Sequence, residues 1–327
     1  MTHNAGRILG GLTLAVVLAA ATSAVAQTKV RFALGETGIE AIPYYIALER
    51  AKEKGVAYEA TNFSKEDLSI QAVVSGQADL GIATPYSVIQ KSKAPIRGLM
   101  QISRLVFFPV ADKSLYKTWK DLNGQPFVFH ARGSGTEAIG NIIAKRQGIE
   151  FGQRSYVPGS DNRVVAMLNG QIKATILDLA NMKVLMEKGG GKFHVLPSVD
   201  TPASDEILFG NVEFINKNAK AVDIIVEEFA WLWREMAKDP SIIETERAKR
   251  GILKDLPKEV LAKVTAFYTD AVKNGIYDPK GGGPAAIKSD FEFYTEAGQL
   301  QGKASDLKVE DFWDLRPWER AQKKLGG

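Results

Sequence analysis

Two stretches of the sequence, 94 positions apart, share an order of residue types. Residues 72–82 read AVVSGQADLGI and residues 166–176 read AMLNGQIKATI, in each case a helix end, a glycine and a buried strand. Upstream of each, an apolar strand runs into a glycine-bearing loop, at 32–38 and again at 129–135. This repetition predicts two copies of one unit in which parallel strands alternate with helices, so the fold class is α/β. The alternative is that the two stretches share only the order of helix, glycine and strand that is common in α/β proteins, and are not copies of one unit.

Two extended apolar segments flank the second copy, at 105–111 and 207–215. Each is too long for a turn, and we interpret them as paired crossovers between two lobes. The chain beyond them has helical periodicity at 221–238 and 258–273, and this tail is expected to pack on the first lobe. The predicted lobes are residues 27–107 plus 212–327, and residues 108–211. Such connectivity permits hinge closure over a ligand.

The first 26 residues have the pattern of an export signal. Arg7 supplies a positive charge, residues 8–21 form an apolar run, and Ala-Val-Ala at 24–26 is a small-residue cleavage site before Gln27. A membrane anchor, the rival interpretation, needs about 20 apolar residues. The run here is shorter and contains two glycines and a threonine. The sequence therefore predicts a soluble protein cleaved near Ala26 and, in a host with two membranes, located in the periplasm.

Composition removes several classes of function. The chain has no cysteine, so disulfides, thiolate nucleophiles, cysteine-bound zinc and iron–sulfur clusters are all excluded. It has only three histidines, which makes a metal centre unexpected. Its 42 Lys and Arg against 38 Asp and Glu leave a net charge of +4, far below the basic excess of nucleic-acid-binding proteins. We expect no nucleic-acid partner, no metal and no cofactor.

A glycine-rich loop after a predicted strand is the strongest candidate for ligand contact. It comprises Arg132, Gly133, Ser134, Gly135 and Thr136. The glycines allow a tight turn and close approach, and the following helix would present free N–H groups to an anion, with added positive charge from Arg132. The alternative is that Ser134 or Thr136 only caps the helix.

Ligands of open α/β sheets bind at the carboxyl ends of the strands. The facing surface would come from the loop after the first strand and from the next helix, namely Glu36, Thr37, Gly38, Pro43 and Tyr44. Further candidates at strand ends and in the hinge are Thr84, Pro85, Tyr86, Phe107 and Asp178. Capping is an equally good explanation for Thr84 and Asp178. We expect His130, beside the glycine loop, to be structural.

Two enzymatic interpretations were weighed. A serine hydrolase would need a GxSxG motif, which the sequence lacks. Residues 133–138 fit the loose GxGxx(G/A) pattern of dinucleotide sites, which leaves an exported NAD-dependent oxidoreductase as an alternative. The acidic residue expected about 20 positions later is missing from the neighbourhood of 152–156. We therefore expect no enzymatic activity and no catalytic residue.

Four segments together resemble the SsuA/THI5/NMT1-like family of periplasmic solute-binding proteins, which serve ABC importers of nitrate, sulfonates, taurine and thiamine precursors. They are AVVSGQADLG at 72–81, DLNG at 121–124, GSGT at 133–136 and FYTEAGQLQG at 293–302. The resemblance covers essentially the whole mature chain. Lys173 departs from it, because the second copy would commonly carry an acidic residue there.

The resemblance implies a type II periplasmic-binding-protein fold, with two α/β lobes joined by two hinge strands and a ligand in the cleft between them. It implies a monomer that delivers one small molecule, unaltered, to a permease and its ATPase. An anionic or zwitterionic organic ligand of the sulfonate or carboxylate type is expected, although Glu36 and Asp178 would suit a partly cationic one. The GSGT loop also resembles receptors of TRAP-type importers of the TAXI group, which remain an alternative.

Overall fold

A computed structural model describes residues 1–2, 28–35, 38–63 and 66–326. The predicted export signal and its cleavage site fall almost entirely outside these residues, as do Glu36 and Thr37. The strands are β1 (Thr28–Leu34), β2 (Val56–Asn62), β3 (Leu80–Ala83), β4 (Ile96–Arg104), β5 (Phe108–Asp112), β6 (Pro126–Phe129), β7 (Gln153–Tyr156), β8 (Ala174–Leu177), β9 (Phe193–Val195) and β10 (Ser204–Asn211).

The helices account for most of the remaining chain. They are α1 (Ile42–Glu53), α2 (Glu66–Val74), α3 (Tyr86–Ser92), α4 (Gly135–Gln147), α5 (Ser160–Leu168), α6 (Leu179–Lys188), α7 (Val212–Lys217), α8 (Ala219–Lys238), α9 (Ile242–Arg250), α10 (Lys258–Leu261), α11 (Val264–Lys273), α12 (Pro284–Glu296), α13 (Val309–Phe312) and α14 (Arg316–Lys324). Short 3-10 turns lie at Ile39–Ala41, Trp119–Leu122 and Ala304–Asp306.

The strands form two five-stranded sheets of the same design. Their orders are β2-β1-β3-β10-β4 and β7-β6-β8-β5-β9. In each sheet the first three strands are parallel, and the fourth runs antiparallel to the third. This confirms the predicted α/β class with two lobes. The helix and strand pairs α2–β3 and α5–β8 carry the repeated sequence, since both elements of the second pair begin 94 positions after those of the first.

Two chain segments connect the sheets, after β4 and before β10. They touch where the Leu105 N–H donates to the carbonyl of Ala203 at 2.9 Å. The predicted lobe boundary after residue 211 assigns β10 to the second lobe, whereas the structure pairs β10 with β3 and β4 in the first sheet. The apolar residues of β10 are buried in this first sheet. The second crossing between the lobes therefore lies before β10 rather than after it.

The C-terminal helices pack on the first sheet, as expected from their periodicity. Helix α8 places Val222, Phe229 and Trp233 in a buried cluster with α1 and with β4 of that sheet. The indole N–H of Trp233 donates to the carbonyl of Ile102 at 2.8 Å, which ties the helix to the strand. This packing leaves the carboxyl ends of the parallel strands free to face the second sheet.

Helix α4 begins where the glycine-rich loop ends. Ser134 is its N-cap, with its hydroxyl accepting from the N–H of Glu137, and Gly148 ends it in the left-handed conformation at φ 63°. The buried face of α4 lies against β6, where Gly140 allows the ring of Phe129 to approach so closely that a Cβ would lie 2.3 Å from it. The predicted capping role of Ser134 is therefore present in the structure.

Candidate functional site

A cavity of about 260 Å³ lies between the carboxyl ends of the two sheets. We call it the cleft. Its lining residues are Leu34, Gly35, Glu40, Ala41, Tyr44, Glu66, Phe107, His130, Ser134, Gly135, Thr136, Ser160, Arg163, Asp178, Asp205 and Glu206. A smaller hollow of about 90 Å³ shares six of these residues and adds Tyr277, Phe267 and Arg104. Three larger hollows, of about 430, 480 and 350 Å³, are each lined in part by residues 306–320 and lie away from these strand ends.

The glycine-rich loop supplies one wall of the cleft. Gly133 has a φ of 79°, which favours glycine, and its N–H donates to the carboxylate of Glu137 at 2.7 Å. The hydroxyls of Ser134 and Thr136 lie 3.0 Å apart, and Thr136 also accepts from the N–H of His130 at 3.1 Å. These hydroxyls therefore hold the loop in shape as well as lining the cleft.

The start of α4 at Gly135 leaves no room for a side chain. A Cβ on this residue would lie 2.2 Å from Leu105 Cδ2 and 2.9 Å from Asp205 Oδ1. Leu105 belongs to the crossing segment after β4, and Asp205 belongs to β10 of the first sheet. Glycine is therefore required here by the space available, and the Asp205 carboxylate lies against the first turn of α4.

Asp205 and Glu206 are consecutive residues of β10, yet both line the cleft. In a regular strand their side chains would point to opposite faces. The pairing of β10 with β4 shifts register between Ser204 and Glu206 and again between Glu206 and Ile207. A bulge of this kind redirects side chains. The irregularity explains how two adjacent carboxylates reach the same cavity.

The carboxylates have few partners. Glu206 accepts from the hydroxyl of Tyr44 at 2.7 Å and from that of Ser103 at 3.4 Å. Glu66 accepts from the N–H of Thr84, whose hydroxyl donates to the main-chain carbonyl of Asp205. No hydrogen bond to the Asp205 carboxylate comes from any residue that the structure describes.

Burial and mutual repulsion raise the pKa values of these acids. The pKa of Glu206 rises to about 7, chiefly because protein surrounds the group and also because Glu66 lies nearby. The pKa of Glu40 also rises to about 7, from burial and from the charges of Asp178 and Glu206, although solvent in the cleft still reaches its side chain. The pKa of Asp205 rises well above its ordinary range for the same reasons. The cleft therefore concentrates acidic groups that resist ionisation together.

Arg163 is the buried basic residue of the cleft, with 1% of its surface exposed. Its guanidinium donates to the carbonyls of Val157, Gly159 and Ile176 and to the Ser160 hydroxyl. These contacts use all five N–H groups of an arginine. Burial lowers its pKa to about 10, so it stays charged at neutral pH. Arg163 therefore stabilises the second lobe, and it has no N–H group left to donate to a ligand.

His130 is neutral at physiological pH, because burial and the charge of Arg163 lower its pKa to about 4. Its Nδ1 accepts from the N–H of Gly159 at 3.3 Å. The expected structural role of this histidine is consistent with that contact, although its ring also lines the cleft.

Six of the predicted ligand-binding residues line the cleft: Tyr44, Phe107, Ser134, Gly135, Thr136 and Asp178. Asp178 also caps α6, with one carboxylate oxygen accepting from the N–H of Asn181 at 2.9 Å. Thr84 does not line the cleft itself, but it forms hydrogen bonds to Glu66 and Asp205, which do.

Other predicted residues lie elsewhere. Arg132 is exposed, and its guanidinium carbon lies 4.9 Å from the centre of the Tyr156 ring. Tyr86 is buried in the core and donates to Asp290. Gly38, Pro43, Pro85 and Gly133 are likewise not among the lining residues. Glu36 and Thr37 lie outside the described residues.

Most of the acidic lining was not predicted from the sequence: Glu40, Glu66, Asp205 and Glu206. Glu66 occupies the first turn of α2, where an acidic residue ordinarily complements the helix dipole. The positions of Asp205 and Glu206 could not be predicted from the alternation of side chains along β10, because the bulge interrupts that alternation. A signal that could have shown them is the adjacent pair itself, because two charged residues in an otherwise apolar strand need an explanation.

The paired sheets and the cleft at their strand ends define a periplasmic-binding-protein fold. Residues 39–242 match the model of the family described as NMT1/THI5 like. The chain belongs to this NMT1/THI5-like family, as the resemblance in its motifs indicated. No curated protein sequence matches it.

Solved structures confirm the fold. A protein from Bordetella bronchiseptica superposes with a TM-score of 0.72 at 19% identity, over 92% of this chain and 98% of that one. The periplasmic sulfonate-binding protein SsuA of a sulfonate ABC transporter from Methylobacillus flagellatus gives 0.67 at 16% identity, over 92% and 96%. The periplasmic nitrate-binding protein NrtA from Synechocystis gives 0.67 at 15% identity, over 91% and 89%. Of the helices that the structure describes, none has the length and apolar character needed to cross a membrane.

Proposed function

We propose that this chain is the extracytoplasmic solute receptor of an ABC-type importer. The observation that carries the proposal is the cleft itself, which is lined from both sheets at their strand ends. A solute held there contacts both lobes, so it binds the closed form more tightly than the open form and shifts the hinge equilibrium. The closed receptor would then deliver the solute to a permease and its ATPase.

The lobes would move about the two crossing segments, residues 105–107 and 196–203. Contacts between the lobes on the described residues support a closed arrangement. Arg146 of α4 forms two 2.8 Å bonds to Glu296 of α12, and Lys183 of α6 pairs with Asp270 of α11. Both pairs are partly exposed, so each contributes at most about 1 kcal/mol, and neither pair by itself holds the lobes together.

An ABC system is favoured by the family match and by the sulfonate receptor among the structural neighbours. The oxidoreductase alternative has little support. Asp205 Oδ1 lies 2.9 Å from the Cβ position of Gly135, at the helix start where a pyrophosphate would have to bind. A carboxylate there repels phosphate, and Leu105 fills the same space.

The solute can be identified from the exported protein. The full-length gene is expressed in a two-membrane bacterium, the protein is recovered from the periplasm, and its N-terminus is sequenced. The protein is then denatured, and the small molecules released are identified by mass spectrometry. We expect an N-terminus at Gln27 and one dominant solute that is recovered unchanged after rebinding. Recovery of a chemically converted solute would overturn the proposal.

A matched pair of variants assigns the solute to the cleft. Gly135→Trp would place a large side chain in the cleft, whereas Lys145→Trp places the same side chain at an exposed position of α4. We expect the first variant to be recovered without solute and the second to retain it. Retention of solute by both folded variants would place the binding site elsewhere.

A further inference from the structure

We infer that the solute carries a positively charged nitrogen, of ammonium or guanidinium type, which binds against Asp205 and Glu206. This inference rests on the proposed function of the same cleft and specifies the chemistry of its ligand. It differs from the anionic ligand that the glycine loop and Arg132 alone would favour.

The first support is the balance of charge around the cleft. Its described lining has five carboxyl groups, which belong to Glu40, Glu66, Asp178, Asp205 and Glu206. None of the five forms an ion pair with a Lys, Arg or His among the described residues. In the empty cleft these acids retain protons because burial and mutual repulsion raise their pKa values, and a bound cation would favour their ionised form. The cleft is therefore expected to favour a cation over an anion.

The basic residues nearby are already committed. Arg163 uses all five N–H groups on protein acceptors. Arg104 lines the smaller hollow and not the cleft; one of its Nη atoms pairs with Asp278, and its buried Nε has no hydrogen-bond partner among the described residues. Arg132 stacks on Tyr156 outside the cleft. An anionic ligand would find no free guanidinium within the described lining.

Asp205 provides an independent indication. Its carboxylate lines the cavity, one of its oxygens lies against Gly135, and it receives no hydrogen bond from a described residue. This carboxylate is half-buried, so its ionised form is less well solvated than in bulk water and is stabilised when a donor reaches it. Glu206 has only hydroxyl donors, from Tyr44 and Ser103. A bound cation would supply the missing charged partner to both.

The dipole of helix α4 acts in the opposite direction, since it favours an anion. The N-terminus of α4 faces Asp205, and a helix N-terminus carries about half a positive charge. That partial charge is smaller than the charge of even one fully ionised carboxylate, and the cleft has five carboxyl groups. The helix therefore reduces the acidic potential at one end of the cleft without reversing it.

The lining also favours an organic cation over a metal ion. Among the described residues, no three acidic or histidine side chains are arranged to hold a metal. Tyr44 and Phe107 line the cavity, and aromatic faces attract cations attached to organic groups. The volume, about 260 Å³, lies just below the roughly 300–1,000 Å³ of drug-sized sites, so the solute is small.

Three probes with the same four-carbon tail test the sign of the charge: butylammonium, butan-1-ol and butanesulfonate. The exported protein is first unfolded and refolded to remove its solute, and its melting temperature is then measured against each probe at constant ionic strength. We expect a saturable rise with butylammonium and none with the other two. Absence of a saturable rise with butylammonium overturns the inference, as does a larger rise with butanesulfonate.

Variants locate the effect. Asp205→Asn with Glu206→Gln removes both charges while keeping the side-chain shapes, and Asp200→Asn with Glu213→Gln makes the same changes at exposed positions. We expect the first pair to weaken butylammonium binding by about tenfold to a hundredfold, since charged hydrogen bonds are lost, and the second pair to leave it unchanged. Equal affinity in both would refute the assignment to these carboxylates.

The outcomes separate this inference from the proposed function. Binding of butanesulfonate in place of butylammonium leaves a receptor and reverses the charge of its ligand. Release of a single unconverted solute that has no positive nitrogen does the same. Conversion of the solute defeats the receptor proposal, whatever the charge of the probe that binds.

Discussion

The free energy of unfolding should depend on pH through Glu206 in a direction opposite to that of an ordinary carboxylate. Its pKa is about 7 in the folded protein, against 4.5 for an unperturbed glutamate. Because the folded state binds this proton more tightly than the unfolded state, the stabilising contribution is full below about pH 4.5 and is lost as the pH rises through 7. Tyr44, Ser103, Glu66 and Asp205 are the groups that face it.

The size of the effect follows from the change in pKa. At about 1.4 kcal/mol per pH unit, a pKa that moves from 4.5 to about 7 corresponds to an upper bound of roughly 3.5 kcal/mol. Glu206 is only half-buried and titrates together with Asp205, so we expect about 1–2 kcal/mol. The empty wild-type protein should lose this amount relative to Glu206→Gln between about pH 5 and about pH 8.

The assay is urea unfolding of the empty protein at both pH values. His130 also contributes to the pH dependence of stability. Because the pKa of His130 is lowered to about 4, its contribution changes with pH in the direction opposite to that of Glu206. Taking the difference between Glu206→Gln and wild type cancels the contribution of His130. Glu213→Gln is the control: its pKa is already lowered by Lys217, so its difference from wild type should stay constant over this range. A stability difference for Glu206→Gln that stays constant, or moves in favour of wild type, would refute the reasoning.

Three other substitutions test separate parts of the structure. Gly135→Ala should lower solute affinity at least tenfold, as measured by calorimetric titration. It should also destabilise the protein by about 1–3 kcal/mol in urea unfolding, because the new Cβ would lie 2.2 Å from Leu105. Glu228→Ala should cost about 2–4 kcal/mol in urea unfolding, since it removes a buried carboxylate and leaves the half-buried Arg50 guanidinium, now bonded at 2.6 Å, with only the more distant Glu246. Arg163→Met should lower the melting temperature yet leave the preference for butylammonium over butanesulfonate intact, because that guanidinium has no N–H free for a ligand.

Controls for these substitutions are available in the same chain. Gly35→Ala adds a Cβ that meets nothing within 4 Å, so it should not reproduce the loss of stability of Gly135→Ala. Glu59→Ala removes an exposed partner of Lys29 and should cost far less than Glu228→Ala, because solvent screens exposed pairs. Equal costs for Glu59→Ala and Glu228→Ala, or a reversal of charge preference in Arg163→Met, would contradict the account.

The fold could be predicted from the sequence because the repeat preserves both spacing and chemistry. Gly76 and Gly170 occupy equivalent positions after α2 and α5, and both have positive φ, at 76° and 69°. A glycine in that conformation after an amphipathic segment is a common helix end, so the pattern can be recognised locally in one sequence. The position of β10 was harder, because the pairing of a strand with partners more than 100 residues away leaves no local signal.

The site could be predicted only in part. The glycine loop was found because glycine and hydroxyl residues after a strand have a local meaning, and Ser134, Gly135 and Thr136 do line the cleft. Arg132 has the same sequence context, but its side chain turns outward to Tyr156. Asp205 and Glu206 depend on a bulge set by pairing with β4, which periodicity cannot show.

Small-angle scattering of the exported protein, with and without the solute it releases, tests the closure of the cleft most directly. The empty protein should be larger than the about 19 Å radius of gyration of a compact chain of roughly 300 residues, and saturation with solute should reduce that radius. Identical radii in both states, at a solute concentration shown by calorimetry to saturate the protein, would contradict a receptor that closes on its ligand.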